Sequence, residues 1–406
     1  MSNTIVTNDV VTYEVAISFA NSLRGVAAFN REYRDEFAAR GGKIGDTIKI
    51  RLPQMYEVTE GEALEPQDLY DRTVSLILNR RRHIGFQWSS AQETTDLDDI
   101  RNRYVTPAAD TLASVYDRVA LADVYKKVYH HTGTLGTVSS TPLDFSGAMT
   151  KILHNAGPDA GLVACLDPLA SATLASATPT FVAASSKQDQ NWVNGQFASG
   201  QLGIDKWVVD QNTPHFTSGA CPAASTPLVN SAGQTGSSII TDGWGAGTAL
   251  VTGDIVTFAG VYGVNPQSKE STGRLQQFTL TADVTGTTPT LSISPSIITS
   301  GQLQNVTAGP ADDAVVTYWS MAAGGTLAAT VAAQNLVFAP KAFATVMVDL
   351  AMPNGGAKGS RASSKQLNVA IRYVEQYSIT NDQNLNRLDF LAGNAAVAPE
   401  WAVRVG

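Results

Sequence analysis

Between residues 211 and 310 the chain almost stops using charge. Asp242, Asp254, Lys269, Glu270, Arg274 and Asp283 are the only six charged residues in that hundred, against 58 in the other 306. Ser, Thr and Gly dominate the stretch, with apolar alternation in Ile255-Val256-Thr257-Phe258 and Phe278-Thr279-Leu280-Thr281. Alternation places every second side chain on one face, and Gly and Pro punctuation cuts such runs into short strands, which predicts a β-sandwich or barrel. Near Asn335 the earlier pattern resumes, with Leu336-Val337-Phe338 and Val346-Met347-Val348. A chain that leaves one pattern and returns to it predicts an all-β domain, residues 216–334, inserted into a second domain. Its 406 residues also exceed what one hydrophobic core normally organises.

The N-terminal flank reads as helix over 9–40. Val11, Val15, Phe19, Leu23, Val26, Phe29, Tyr33 and Phe37 recur every three or four positions, Gly25 weakens the middle so that two helices joined near it are expected as readily as one, and Gly41-Gly42 ends the run. Residues 45–90 change to period two: Thr47-Ile48-Lys49-Ile50-Arg51-Leu52, then Val74, Leu76 and Leu78 beyond a polar tip from Thr59 to Asp71. This predicts a long two-stranded excursion. Residues 97–131 read as the longest helix, with a seam of Ala108, Leu112, Val115, Val119 and Ala122. Pro107 requires a kink or a later start, and Lys126, Lys127, His130 and His131 read as a positive helix end. Ser146 to Asn155 reads as helix, and Leu162 to Leu166 and Trp207 to Val209 as buried strands.

Chemistry-bearing motifs fail one by one. Gly355-Gly356-Ala357-Lys358-Gly359-Ser360 has lysine and glycine in the wrong order for a phosphate loop and reads as a polar loop. Gly243-Trp244-Gly245-Ala246-Gly247 lacks the strand-then-helix setting of a dinucleotide site. The adjacent pair His130-His131 lacks the helical i, i+4 spacing that lets two histidines share one metal. Two cysteines, Cys165 and Cys221, form no disulfide framework and point to a reducing compartment. No signal-peptide layout and no membrane-length apolar run is present, so a soluble, intracellularly made protein is expected, with no enzyme activity, cofactor or metal. A net charge of -8 without a basic stripe argues against direct nucleic-acid recognition.

Charge is instead segregated in the excursion. Glu57, Glu60, Glu62, Glu65, Asp68 and Asp71 are followed by Arg72, Arg80, Arg81, Arg82 and His83. An isolated two-stranded ribbon is marginal in water, so it needs support, and a neighbouring copy is the natural source. These acids and arginines are the candidate intersubunit contacts; pairing within one hairpin is the plainer alternative. Repeated head-to-tail contacts of this kind close rings.

The whole order resembles the major capsid proteins of tailed bacteriophages. The nearest likeness is to the coat proteins of short-tailed Salmonella-type phages with an inserted β-barrel. Val10 to Arg40 is similar to the family's arm, 45–90 to its extended loop, and Tyr104-Val105-Thr106-Pro107-Ala108-Ala109 with Tyr116-Asp117 to its spine helix. Gly161 to Pro168 and Gly203 to Pro214 resemble axial-domain strands, Gly253 to Val261 the inserted barrel, Asn335 to Phe343 the return, and Ala396 to Ala402 the closing strand.

The resemblance implies an α+β fold of the tailed-phage and herpesvirus major capsid type. Its parts would be an N-terminal arm (1–44), an extended β-hairpin loop (45–92), a peripheral domain with the spine helix (93–144), an axial domain (145–215), the insert (216–334) and a return (335–406). It further implies self-assembly into hexamers and pentamers of an icosahedral head enclosing double-stranded DNA in the virion, built in the host cytoplasm. The implied partners are a separate scaffolding protein, a portal protein and a decoration protein. No lysine–asparagine pair for covalent cross-linking is identified. The competing readings are a nanocompartment shell of the same fold enclosing a cargo enzyme, a β-rich surface or adhesion protein, and a hydrolase with a spatially assembled site.

Overall fold

The computed structural model describes residues 8–33, 44–59, 61–62, 66–89, 104–177, 200–222, 225–319, 329–353, 358–364 and 369–406. They form two compact units. One comprises Met1–Ile50, Val74–Leu121 and Phe343–Ala395; the other comprises Arg51–Thr73, Ala122–Ala342 and Ala396–Gly406.

In the first unit, α1 (Asn8–Ser22) buries Val15, Ala16 and Phe19, the predicted stripe, and Leu23 extends it beyond the helix end. The predicted 9–40 helix stops there. Gly25 begins a short turn, Val26–Ala28, whose backbone is held by another element: Asp117 accepts the N–H groups of Arg24 (2.8 Å) and Val26 (3.0 Å). Residues 34–43 lie outside the described residues.

Asp117 belongs to α2 (Thr106–Val124). Pro107 is its second residue, and residues 104–105 before it already wind as a wider helical turn, so the proline sits where the winding changes. The predicted stretch 97–103 lies outside the described residues. The predicted seam is out of phase: Leu112 is buried, but Ala108, Val115 and Val119 are half-buried and Ala122 is exposed. The buried face runs through Ala109, Leu112, Ala113, Tyr116, Asp117 and Ala120. Counting only aliphatic residues overlooked an aspartate whose burial is balanced by two backbone donors.

The two-stranded pair is β1 (Thr47–Arg51) with β2 (Thr73–Ile77). Hydrogen bonds from Leu78 N–H to Asp46 O (3.0 Å) and Leu52 N–H to Arg72 O (2.9 Å) bracket it. The predicted excursion to residue 90 is therefore too long. β3 (Arg80–Ser89) instead joins a five-stranded sheet with β18 (Phe343–Val348), β19 (Lys358–Ser364), β20 (Val369–Ser378) and β21 (Gln383–Ala396). β3 pairs along β21 from Ser89 opposite Gln383 to Arg80 opposite Ala392. Buried Leu78 ends the ribbon and turns the chain, because ten more backbone pairs are available on β21 than on a free hairpin arm. Phe390 anchors the sheet between Phe19 (5.9 Å) and Tyr116 (5.1 Å), each such ring burying ~1.5–3 kcal/mol of apolar surface.

The second unit is built on a five-stranded sheet ordered β4 (His130–Thr132), β22 (Ala402–Val405), β17 (Asn335–Phe338), β5 (Val163–Leu166), β6 (Lys206–Val209). The predicted return at Asn335 is thus the central strand. Helices α3 (Pro142–His154) and α4 (Pro168–Ala177) supply Phe145, Ala148, Ile152 and Leu174 to its core. Asp167-Pro168 ends β5 as predicted and also opens α4, with Asp167 accepting the Leu169 N–H at 3.0 Å. His130 and His131 are not a helix end. They form β4, because the helix closes in a tight turn at Tyr125–Lys127 and the chain then extends beside Val403 and Arg404.

The low-charge stretch is all-β, with a six-stranded sheet and its own apolar core. The order is β15 (Val316–Tyr318), β11 (Ile255–Val264), β12 (Ser271–Leu280), β14 (Thr290–Ile297), β9 (Gly236–Asp242), β8 (Leu228–Val229), beside a short pair β10 (Ala249–Leu250) and β13 (Val284–Thr285). Phe258, Phe278, Leu291, Ile293 and Trp244 fill the core. The two ends of the stretch pair with each other: β7 (His215–Thr217) lies antiparallel to β16 (Val331–Ala333), Phe216 opposite Ala332. That neck brings the outgoing and returning chain together, the geometry an insertion requires.

Candidate assembly surfaces

The acidic tip between β1 and β2 is braced by side-chain amides. Gln67 Oε1 accepts the Glu57 N–H (3.0 Å), Gln67 Nε2 donates to Glu57 O, and Gln302 Nε2 donates to Gln67 Oε1 (3.0 Å). Glu57, Glu62, Asp68 and Asp71 are exposed; Glu60 and Glu65 lie outside the described residues. Interleaved with them are Val58 (87 % exposed), Leu69 (70 %), Tyr56 and Tyr70. The tip therefore presents both charge and apolar area. Arg72 stands half-buried at its base, donating to Pro53 O (3.2 Å).

Arg80, Arg81 and Arg82 are placed by β3, on the sheet rather than in the ribbon. Across that sheet one row reads His83, Asp389, Arg372, Arg361, each directly opposite the next. Asp389 is fully buried and is the single carboxylate for three arginines. Arg372 grips both of its oxygens (2.9 and 2.5 Å), and Arg81 and Arg387 each reach Oδ2 at 3.2 Å. Arg361 and Arg81 remain exposed and Arg387 half-buried. One sheet face is thus basic around a buried anion, and sequence spacing could not show it: Arg81, Arg361, Arg372, Arg387 and Asp389 come from four strands.

In the second unit a polar cluster joins β4, α3 and β12. Gln277 Oε1 accepts the His131 N–H (3.0 Å) and Lys151 Nζ (2.8 Å), while Lys151 also donates to His131 O. Asn155 Nδ2 meets His130 Nε2 at 3.0 Å. Burial, reinforced by Lys151, pushes His130 down to about 3 and His131 in the same direction. Burial, with Arg274 adding, lowers Lys151 to about 8. Between pH 8 and 9.5 the unfolded lysine therefore keeps a proton that the folded one has lost. Stability is expected to climb with pH across that range, and Lys151→Met to flatten the climb, read from urea midpoints at pH 8, 8.7 and 9.5.

Residues 169–405 match the family model described as P22 coat protein, gene protein 5. The chain belongs to the P22 coat protein family. It is a major capsid protein of tailed-phage type, its role is structural, and its place is the virion. The family assignment favours neither a compartment shell nor a surface protein. Among solved structures, the chain is similar to one from Mycobacterium phage Che8 (12% identity over 96% of this chain and 90% of that one, TM-score 0.45). It is also similar to the capsid of Ralstonia phage GP4 (9%, 89% and 83%, 0.41) and to the CUS-3 coat protein I-domain (28%, 24% and 97%, 0.19). No curated protein matches its sequence. Both compact units of this coat protein contribute to the matched span, since 169–405 runs from α4 through the β-rich stretch, β18–β21 and β22.

Proposed function

We propose that this coat protein assembles head-to-tail into hexamers and pentamers that close an icosahedral head around double-stranded DNA. A scaffolding protein would guide the assembly and a portal protein would occupy one vertex. The observation that carries this reading is the pair of unlike surfaces on one chain: an exposed acidic and apolar tip, and a basic sheet face. A surface that cannot satisfy itself is satisfied by the next copy, and repetition closes a ring. Charge complementarity of this sort sets register and association rate more than affinity. Arg80 and Arg82 flank the basic face as further contact candidates, and Arg72 anchors the tip. Residues 216–334 act as an inserted domain that adds lateral contacts. The net charge of -8 keeps packed DNA from adhering to the wall.

Neutralising the tip (Glu57→Gln, Glu62→Gln, Asp68→Asn, Asp71→Asn) or reversing Arg361→Glu tests it. With the scaffolding protein present, light scattering is expected to show assembly slowed several-fold in low salt, the difference from wild type shrinking as salt screens the pairing. Electron microscopy showing normal shells formed at the wild-type rate by both variants would remove this proposal.

A further inference from the structure

We infer that Arg404 marks a buried site for a small monovalent anion of the halide class. Arg404 lies on β22 with none of its surface exposed. One of its nitrogens, Nη2, donates to Gly253 O at 2.8 Å. Its guanidinium stands 4.9 Å from the centre of the Trp319 ring and 5.8 Å from that of Phe216. Nε and Nη1 meet no hydrogen-bond partner among the described residues. The same holds for Trp319 Nε1 and for Nδ1 of His131, whose ring sits 4.8 Å from that of Trp319. Three side chains in mutual contact thus each leave a buried polar atom unmatched, where native interiors match nine in ten or more.

The two ring faces answer part of the charge, but among the described residues no carboxylate hydrogen-bonds the guanidinium. Asp254 favours the Arg404 cation only through space, its carboxylate accepting the N–H groups of Val251 (2.7 Å) and Gly219 (3.2 Å) rather than those of the guanidinium. The sequence from 320 to 328 contains no Asp or Glu. Lys151, bonded to His131 O, adds a second positive group to the neighbourhood. An unpaired buried cation costs far more than an unpaired neutral donor. Water can fill the free N–H positions but leaves the charge, whereas an anion answers both. Full burial limits it to a small ion, and two polarisable rings favour a weakly hydrated halide over fluoride. Because the contacts come from the closing strand, the neck (Phe216) and the β-rich stretch (Gly253, Trp319), a bound anion would fasten these three segments together.

The test uses the purified full-length monomer at constant ionic strength, exchanging sodium gluconate for sodium chloride or bromide. Thermal unfolding is expected to shift up by roughly 1–2 °C for each tenfold rise in halide, with broadening of the chloride NMR line. Arg404→Met should abolish both responses. Should that variant fail to fold, Trp319→Phe keeps the ring, removes one donor, and should weaken both. Equal melting in gluconate and chloride would assign water to these groups and overturn the inference. A halide response undiminished in the variants would overturn it too.

Discussion

Asp389→Ala is expected to cost the coat subunit about 3 kcal/mol or more, the largest loss of any single polar substitution in its first unit. The carboxylate is fully buried, and Arg372, only 11 % exposed, holds both of its oxygens. Removing one partner of a buried pair typically costs ~3–5 kcal/mol because the other charge stays buried and unanswered. Arg81 and Arg387 are 39% and 41% exposed, so water screens them and they add little individually. The effect goes beyond one pair, however. Arg361 stands directly opposite Arg372, and with the anion gone like charges face each other across the sheet. Urea unfolding of the monomer measures the loss, and adding Arg372→Met should recover part of it. A loss below ~1 kcal/mol would show that the arginines find other partners.

Acidification is expected to destabilise the subunit from pH 6.5 downward, chiefly through His130. Burial, then Lys151, holds its folded pKa at about 3, below the unfolded value of 6.5. Between those limits the unfolded chain binds a proton that the folded one refuses, so stability falls as pH falls, by ~1.4 kcal/mol per unit. His131 shifts in the same direction and shares the network, so the two titrate together. Asp254 and Glu400 oppose them, since burial raises both carboxyls and their protonation as pH falls favours the folded state. A net loss of ~2–3 kcal/mol from pH 7 to pH 4.5 is expected in urea titrations. His130→Leu should flatten the slope while lowering stability at pH 7, where Asn155 loses its partner. A wild-type slope in that variant would place the acid sensitivity elsewhere.

Much of this architecture is legible from periodicity because periodicity is local. Val15, Phe19 and Leu23 share a face whatever they pack against. The low-charge stretch reads as β because Ile255–Val264 and Ser271–Leu280 alternate over ten residues each. Asp167-Pro168 acts through backbone geometry and marks a boundary by itself. What stayed hidden depends on partners distant in sequence. The α2 seam was misjudged because Asp117 is buried on N–H groups of residues 24 and 26. The ribbon was overextended because β21, some three hundred residues away, captures β3.

The sequence by itself determined a mixed α+β chain with an all-β stretch set inside it, a segregated acidic tip, and the ordered pattern of a phage coat protein. Only the tertiary structure decided where the charges are answered. It gathered arginines from β3, β20 and β21 around Asp389, turned His130-His131 into a buried strand, and enclosed Arg404 between two aromatic rings. The physical reason is that propensity and alternation act within a few residues, whereas the energy of a buried charge depends on every group that the whole fold brings within a few ångströms of it.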